Sequence, residues 1–295
     1  MKSLTIALCL CMLALAAVNS SSAQKLKVEE IIAKHLDSIA TAEVRATTKT
    51  LIAIGPGKQK FLSTADAPAE GRLVIASEAT KMFVGMNMNS PQYPGQKFIF
   101  DGKKYDVAIT TTGGRDFLGN FVQDNGSLLK AGLFGGTLST NWLLANTAAE
   151  KGKLTTEGKK KIDDRETYVL QYATKGGSDV NIFLYFDAVT FQHIRTEYKR
   201  MTSAPQGVMV KAAVGASGDN SGRQTETRIS LTEHYTDYRA ERGLMLPHGY
   251  KIVYSYSGNK GTVECEWTFA LTEFGVNQKF DPSTFVISDG STGDE

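Results

Sequence analysis

The four histidines are the first residues to test for chemistry, because an imidazole titrates near neutral pH and binds transition metals. They are His35, His193, His234 and His248, and no His-Glu-x-x-His, Cys-x-x-Cys or His-x-His motif accompanies them. Glu233 and His234 are neighbours on a predicted strand, where successive side chains point to opposite faces, so they cannot chelate one ion together. His35 lies on the apolar stripe of a predicted helix and reads as a packed side chain. The sequence therefore predicts no metal site and no cofactor.

The sequence also contains no motif typical of a catalytic nucleophile or of a phosphate-binding loop. No Gly-x-Ser-x-Gly motif occurs. The stretch Gly132-Leu-Phe-Gly-Gly-Thr superficially resembles a phosphate-binding loop, but it lacks the Gly-Lys-Ser/Thr ending, and Phe134 would direct apolar bulk at the anion. Asp163 and Asp164 fall in a predicted turn, and Cys265 lies on the apolar face of a half-buried strand. We expect no catalytic residue.

Composition and charge narrow the class of partner. The chain has 295 residues, 41% of them hydrophobic and 22% charged, with a net charge of +2. Such a balance argues against a nucleic-acid partner, which needs a concentrated basic face. The most basic segment surrounds Lys159, Lys160 and Lys161, but Glu157, Asp163 and Asp164 lie close by. A solvated hairpin explains this segment better than a phosphate-binding patch does.

The N-terminus is typical of an export signal. Lys2 is followed by an apolar segment over residues 4–17 and by Ser21, Ser22 and Ala23, which predicts a signal peptide over residues 1–23. The apolar segment is too short to span a bilayer comfortably. Removal of the signal would leave Cys265 alone, so no intramolecular disulfide could form. These features favour a periplasmic location.

The remainder of the chain is predicted to be one mainly β domain over residues 24–289, with a disordered tail over residues 290–295. A helix is predicted over residues 28–39 from its apolar stripe. Short turns separate the strands, which indicates an antiparallel sheet. The segment 203–223 is expected to be a mobile hairpin end. Strands are predicted over residues 43–54, 71–77, 80–88, 98–100, 105–110, 153–162, 167–173, 179–186, 191–201, 225–238, 250–256 and 262–274.

An apolar insertion interrupts these strands near the middle of the chain. Residues 131–145 are the most apolar part of the mature sequence, and they contain Gly132, Gly135 and Gly136. Just before them, Phe117, Leu118, Phe121 and Val122 have the spacing of one helix face. The insertion is therefore predicted to be a plug or a lid over the sheet, with the glycines letting the chain leave its helices.

Some strands are apolar on both faces. Met82, Val84, Met86 and Met88 share one face of a strand with Phe83 behind them, while Phe183 and Tyr185 stand opposite the apolar face of another. Such a sheet must be covered on both sides, either by the protein's own side chains or by a ligand. The sequence leaves both alternatives open, although flexible methionines suit varied apolar partners.

Several segments together resemble the LolA/LolB-like superfamily, and more closely the proteins called outer-membrane lipoprotein-sorting-like. The resemblance covers nearly the whole mature chain and rests on residues 28–36, 132–142, 186–198, 231–238, 243–248 and 277–285. It implies an incomplete β-barrel, in which short helices cover the apolar concave face of a strongly curved antiparallel sheet. It also implies a cavity for acyl chains and a functional arginine, for which Arg45 and Arg72 are strand-borne candidates.

The resulting prediction is a non-enzymatic periplasmic carrier that is monomeric and binds a lipid or an acylated protein, with a possible membrane-bound donor or acceptor. Two alternatives remain: an interaction or scaffold module with a packed core, and an enzyme that uses the same cavity. The predicted lipid-binding residues are the apolar side chains of the insertion and of the two-sided strands: Met82, Val84, Met86, Phe117, Leu118, Phe121, Leu133, Phe134, Trp142, Phe183 and Tyr185.

Overall fold

One antiparallel sheet contains all the strands that the structure describes. The computed structural model describes residues 26–64, 67–90, 95–110, 114–146, 152–202, 226–258 and 261–287. Of the thirteen strands in these ranges, twelve have the order β5-β4-β3-β2-β1-β12-β11-β10-β9-β8-β7-β6, and β13 lies outside this order and pairs with β1. The sheet is not closed into a barrel, and the predicted mainly β, antiparallel class is confirmed. The strands are β1 Thr50–Phe61, β2 Ala69–Glu78, β3 Lys81–Met88, β4 Gln96–Phe100, β5 Tyr105–Ile109, β6 Gly152–Ile162, β7 Arg165–Thr174, β8 Val180–Asp187, β9 His193–Thr202, β10 Thr227–Glu241, β11 Leu244–Gly258, β12 Gly261–Ala270 and β13 Glu273–Val276.

The first predicted strand was wrong at both of its ends. Residues 43–47 belong to a short helix, α2 (Ala42–Thr47), where the Thr41 hydroxyl accepts a hydrogen bond from the Val44 N–H as an N-cap. Strand β1 begins only at Thr50 and continues through Gly55-Pro56-Gly57, which had been expected to end it. A Cβ on Gly55 would lie 2.0 Å from the Ala270 carbonyl oxygen, so the glycine permits a close approach between strands.

The prediction of one strand over residues 262–274 is also wrong, at the point where this segment pairs with β1. Residues 262–274 form two strands rather than one, because β1 changes its partner. Its first half pairs with β13, and its second half pairs with β12 from Gly57↔Phe269 onward. The Leu271 and Thr272 amides at the break donate to His248 O and Ile54 O. Strands from both ends of the described chain thus meet in the middle of the sheet.

Four α-helices accompany the sheet in the part of the chain that the structure describes. Helix α1 (Val28–Ile39) has the predicted bounds, and Ile31 and His35 on its apolar stripe are buried. The insertion, defined here as residues 116–146, contains α3 (Phe117–Asp124), α4 (Ser127–Ala131) and a 3₁₀ turn at Gly136–Leu138. The Asp116 carboxylate caps α3 by accepting from the Gly119 N–H at 2.8 Å. Gly132 ends α4 in the left-handed conformation, so the predicted exit from the helix is confirmed there.

The sheet curves strongly around the insertion. The Phe134 ring contacts the Phe98 ring of β4 at 5.6 Å between centroids, and the next residue, Gly135, donates its N–H to Glu233 of β10. In a flat sheet β4 and β10 would lie six strand spacings apart, roughly 29 Å. Two consecutive residues can reach both strands only if the sheet wraps around them. The insertion therefore fills the concave face.

Several predictions fall outside the described residues. These are the signal peptide over residues 1–23, the mobile hairpin end at 203–223 and the tail over 290–295. Within the described ranges, no helix has both the length and the apolar character that crossing a bilayer requires.

Candidate functional site

The structure brings eight of the eleven predicted lipid-binding residues together inside the protein. They belong to one hydrophobic cluster with the sheet, and each is at most 4% exposed: Met82, Val84, Met86, Leu118, Phe121, Leu133, Phe134 and Trp142. Phe117, at the start of α3, is 40% exposed and stacks on Tyr254 with 5.7 Å between ring centroids. The concave face is thus covered by the protein's own side chains.

The other two predicted residues lie on the convex face. Phe183 lies beneath Lys160 and Lys199, whose Nζ atoms are 5.4 and 5.9 Å from the ring centroid. The Tyr185 hydroxyl donates to Glu197 at 2.6 Å, and the Arg195 guanidinium covers its ring. Long cationic side chains therefore cover the convex aromatic rings. The sheet separates this pair from the other nine residues, and their lipid-binding role stays a prediction.

A buried carboxylate connects the insertion to the sheet, and the sequence interpretation missed it. Glu233 is fully buried and accepts four hydrogen bonds, from Tyr198 at 2.6 Å, Tyr250 at 2.6 Å, Tyr235 at 2.9 Å and the Gly135 N–H at 2.8 Å. Burial raises the pKa of Glu233, while these hydrogen bonds act to lower it. Strand alternation puts Glu233 on the same face as Leu231 and Tyr235, and this pattern is the sequence signal that could have identified it.

A second polar contact fixes the other end of the insertion. The Trp142 Nε1–H donates to His35 Nε2 at 3.0 Å, and His35 Nδ1 lies 3.0 Å from the Phe191 carbonyl oxygen. This arrangement assigns the neutral tautomer with the proton on Nδ1. Burial lowers the pKa of His35 to about 4 and lowers the pKa of His193, which stacks on Trp142, well below its usual range. His35 is thus the packed side chain that its position on the stripe predicted.

A cleft of about 400 Å³ opens at the end of the sheet, where α1 and α2 face the insertion. We call it the end cleft. Such a volume falls in the range of small-molecule sites. Thr137, Ser139 and Thr140 line its insertion side. Its larger apolar lining residues are Leu36, Ile39, Leu51, Trp142, Leu244 and Leu246. Of the predicted lipid-binding residues, Trp142 is the one that lines this cleft.

Two cations lie at the rim of the end cleft, and both are tied to helix ends. Arg45 Nη1 donates to the Leu36 and Ala40 carbonyl oxygens, and it is 3.2 Å from Asp37 Oδ1. Lys49 Nζ donates to the Ala46 carbonyl oxygen at 2.7 Å. Arg45 was expected on a strand but lies on α2. Arg72, the other candidate arginine, is on β2 and pairs with Glu273 at 2.9 Å.

The remaining chemistry candidates have structural explanations. Cys265 is buried and accepts a hydrogen bond from Gln59, and burial raises the pKa of its thiol to about 12. Asp163 and Asp164 form the β6–β7 turn with positive φ angles, as predicted. Glu233 and His234 point to opposite faces of β10, as alternation required. In the part of the chain that the structure describes, no group of three or more His, Cys, Asp or Glu side chains could hold a metal.

Comparisons with solved structures return proteins that align with most of this chain at low sequence identity. A LolA superfamily protein from Nitrosomonas europaea aligns over 89% of this chain and 98% of its own, at 13% identity and a TM-score of 0.47. A DUF1329 family protein from Desulfovibrio piger aligns over 88% and 97%, at 7% identity and 0.46. An outer membrane lipoprotein-sorting protein domain from Vibrio parahaemolyticus aligns over 86% and 95%, at 9% identity and 0.39. No protein-family model and no curated protein matches the sequence.

The class of fold follows from the architecture itself. The structure is an open, strongly curved antiparallel sheet with short helices on its concave face, which is the architecture that the sequence resemblance implied.

Proposed function

We propose that the protein is a periplasmic carrier that binds a lipid or the acyl chain of a lipidated protein, with the end cleft as the binding site. One observation carries the proposal: this cleft is lined mainly by aliphatic side chains and Trp142, next to a concave face that is itself apolar. The proposed carrier function involves no catalytic step and no cofactor. The predicted signal peptide supports export, and a membrane-bound donor or acceptor would load or unload the carrier.

Apolar burial would provide the main driving force for such binding. Each buried methylene contributes about 0.8 kcal/mol, so about eight methylenes would provide roughly 6 kcal/mol before the costs of association. The two rim cations tolerate an anionic end on the ligand, such as a carboxylate. A single acyl chain with a small polar head therefore matches the volume and the lining of the cleft.

Hexadecanoate should bind with one-to-one stoichiometry and a negative heat-capacity change, measured by calorimetry at two or more temperatures. Replacement of Ala46, an exposed residue of α2 that lines the cleft, by Trp should weaken this binding at least about tenfold, because the indole would occupy the space for the chain.

The matched control is Ala42→Trp, on the same helix and also exposed but not part of the cleft lining. It should bind hexadecanoate like the wild-type protein. If no fatty acid binds, and native mass spectrometry of protein from its own periplasm shows no lipid adduct, the carrier proposal fails.

The filled concave face favours a second candidate, an interaction module with a packed core. The eight buried candidate residues pack together as an ordinary protein interior does. This function predicts that Ala46→Trp changes no ligand affinity, because the end cleft would then be an incidental surface depression. The binding experiment therefore separates the two functions.

A further inference from the structure

The Glu233 cluster consists of Glu233 and the tyrosines at 198, 235 and 250. The tyrosines lie on β9, β10 and β11, three adjacent strands of the sheet. They would donate to the carboxylate with or without the insertion, so the sheet holds the acceptor in place independently. The insertion contributes one donor, the Gly135 N–H, to this preorganised carboxylate.

Glycines at 135 and 136 make that contact possible. Gly135 has φ +77°, and a Cβ on Gly136, at φ +50°, would lie 2.9 Å from the Tyr235 hydroxyl oxygen and 3.0 Å from His193 Nδ1. Backbone in this region is strained for other residues, and a side chain at 136 would separate the loop from the cluster. In the segment that resembled a phosphate-binding loop, the Gly135 N–H therefore binds the protein's own Glu233 carboxylate, while the Gly136 N–H donates to the Leu133 carbonyl oxygen.

The wall of the end cleft begins directly after this contact. Thr137, Ser139, Thr140 and Trp142 line the cleft, and the 3₁₀ turn at Gly136–Leu138 leads from Gly135 into them. Behind this wall lies the apolar concave face that Leu133 and Phe134 now fill. Gly135 therefore joins the segment that fills the concave face to the segment that lines the cleft.

We propose that Glu233 is a positioning residue that fixes the insertion wall and thereby limits the length of acyl chain that the end cleft admits. The chain-length limit rests on the proposed function, whereas the fixing of the wall does not. When the Gly135 contact is intact, the cleft ends at Trp142. When it is released, the wall moves away from the sheet and longer chains gain apolar surface on the concave face.

The test compares Glu233→Gln with the wild-type protein in two measurements. In hydrogen exchange, amides of residues 132–143 should exchange about ten- to a hundredfold faster in the variant, because a charge-assisted hydrogen bond is lost, while β10 and β11 amides keep their protection. In calorimetry with octanoate, dodecanoate and hexadecanoate, the variant should gain affinity for the longest chain relative to the shortest.

Tyr250→Phe is the second variant and keeps the test decisive if Glu233→Gln folds poorly. It removes one donor to the carboxylate but leaves the Gly135 contact, so exchange of residues 132–143 should be less than about tenfold faster than in the wild-type protein, and the relative affinities for the three chain lengths should not change. Equal acceleration of exchange in the sheet and the insertion, or an equal affinity change for all three chain lengths, would overturn the proposal. If no fatty acid binds the wild-type protein, the carrier function and the chain-length limit both fail, and the exchange measurement still decides whether Glu233 fixes the wall.

Discussion

Acidification from about pH 7 to about pH 5 is expected to lower the free energy of unfolding by about 4 kcal/mol through two buried histidines. His35 and His193 are fully buried and neutral, and the pKa of His35 is lowered to about 4. The unfolded chain binds a proton at each imidazole below about pH 6.5, whereas the folded protein does not. Stability is therefore fully present above that pH and is lost as the pH falls toward 4.

Urea unfolding at the two pH values, in wild-type protein and in His35→Gln, checks this expectation. A glutamine can still accept from Trp142 and donate to the Phe191 carbonyl, but it does not titrate. The variant should lose about 2 kcal/mol less than the wild-type protein over this interval. Carboxyl groups with a raised pKa, such as Glu233 and Asp116, act in the opposite direction in both proteins and cancel in the comparison. An identical pH dependence of stability in both proteins would contradict the assignment of part of that dependence to His35.

Trp142→Ala should destabilise the protein by about 3 to 5 kcal/mol, the cost of removing a large buried aromatic side chain. Trp142 is 1% exposed, stacks on His193 and donates its indole N–H to His35. The substitution leaves a cavity and deprives His35 Nε2 of its donor. Chemical denaturation with an unchanged m-value would measure the loss.

Trp142→Phe separates the contribution of the packed aromatic ring from that of the indole hydrogen bond. It keeps an aromatic ring against His193 but removes the N–H, so it should cost about 1 to 3 kcal/mol. If the insertion were a lid, Trp142→Ala would be expected to lower ligand uptake more than it lowers secretion, whereas a joint loss of stability and uptake would identify the segment as core. The burial predicts instead that stability falls substantially. A loss below about 1 kcal/mol for Trp142→Ala would show that the insertion packs only loosely.

The spacing of apolar residues correctly predicted the helices and strands that bury one face. Helix α1 has its predicted bounds because Ile31 and His35 lie on a stripe that faces the core, and the β2–β3 hairpin follows from alternation. Residues 43–47 were misassigned because β-branched residues favour strands on average, whereas here an N-cap at Thr41 and Glu43 in the first turn favour a helix. Intrinsic helix and strand propensities are weak, so capping signals of this kind can determine the local secondary structure.

The candidate site was less predictable, because it depends on contacts between distant segments. The apolar insertion and its helix could be read from the spacing of Phe117, Leu118 and Phe121. The end cleft could not, since it forms where α1, α2, the insertion and β11 converge. Glu233 lies about a hundred residues from its partner Gly135, and only the curvature of the sheet brings them together.

The change of partner along β1 has a consequence for folding kinetics. Strands β2 to β5 and β6 to β11 pair with sequence neighbours, so each set can form from local hairpins. The two sets join only when Gly57 aligns with Phe269, across more than two hundred residues of chain. Closing so long a loop is entropically costly, and pairings of this kind slow folding. A chain that folds from its N-terminus onward can form two separate half-sheets from local hairpins, but these unite only when β12 has formed.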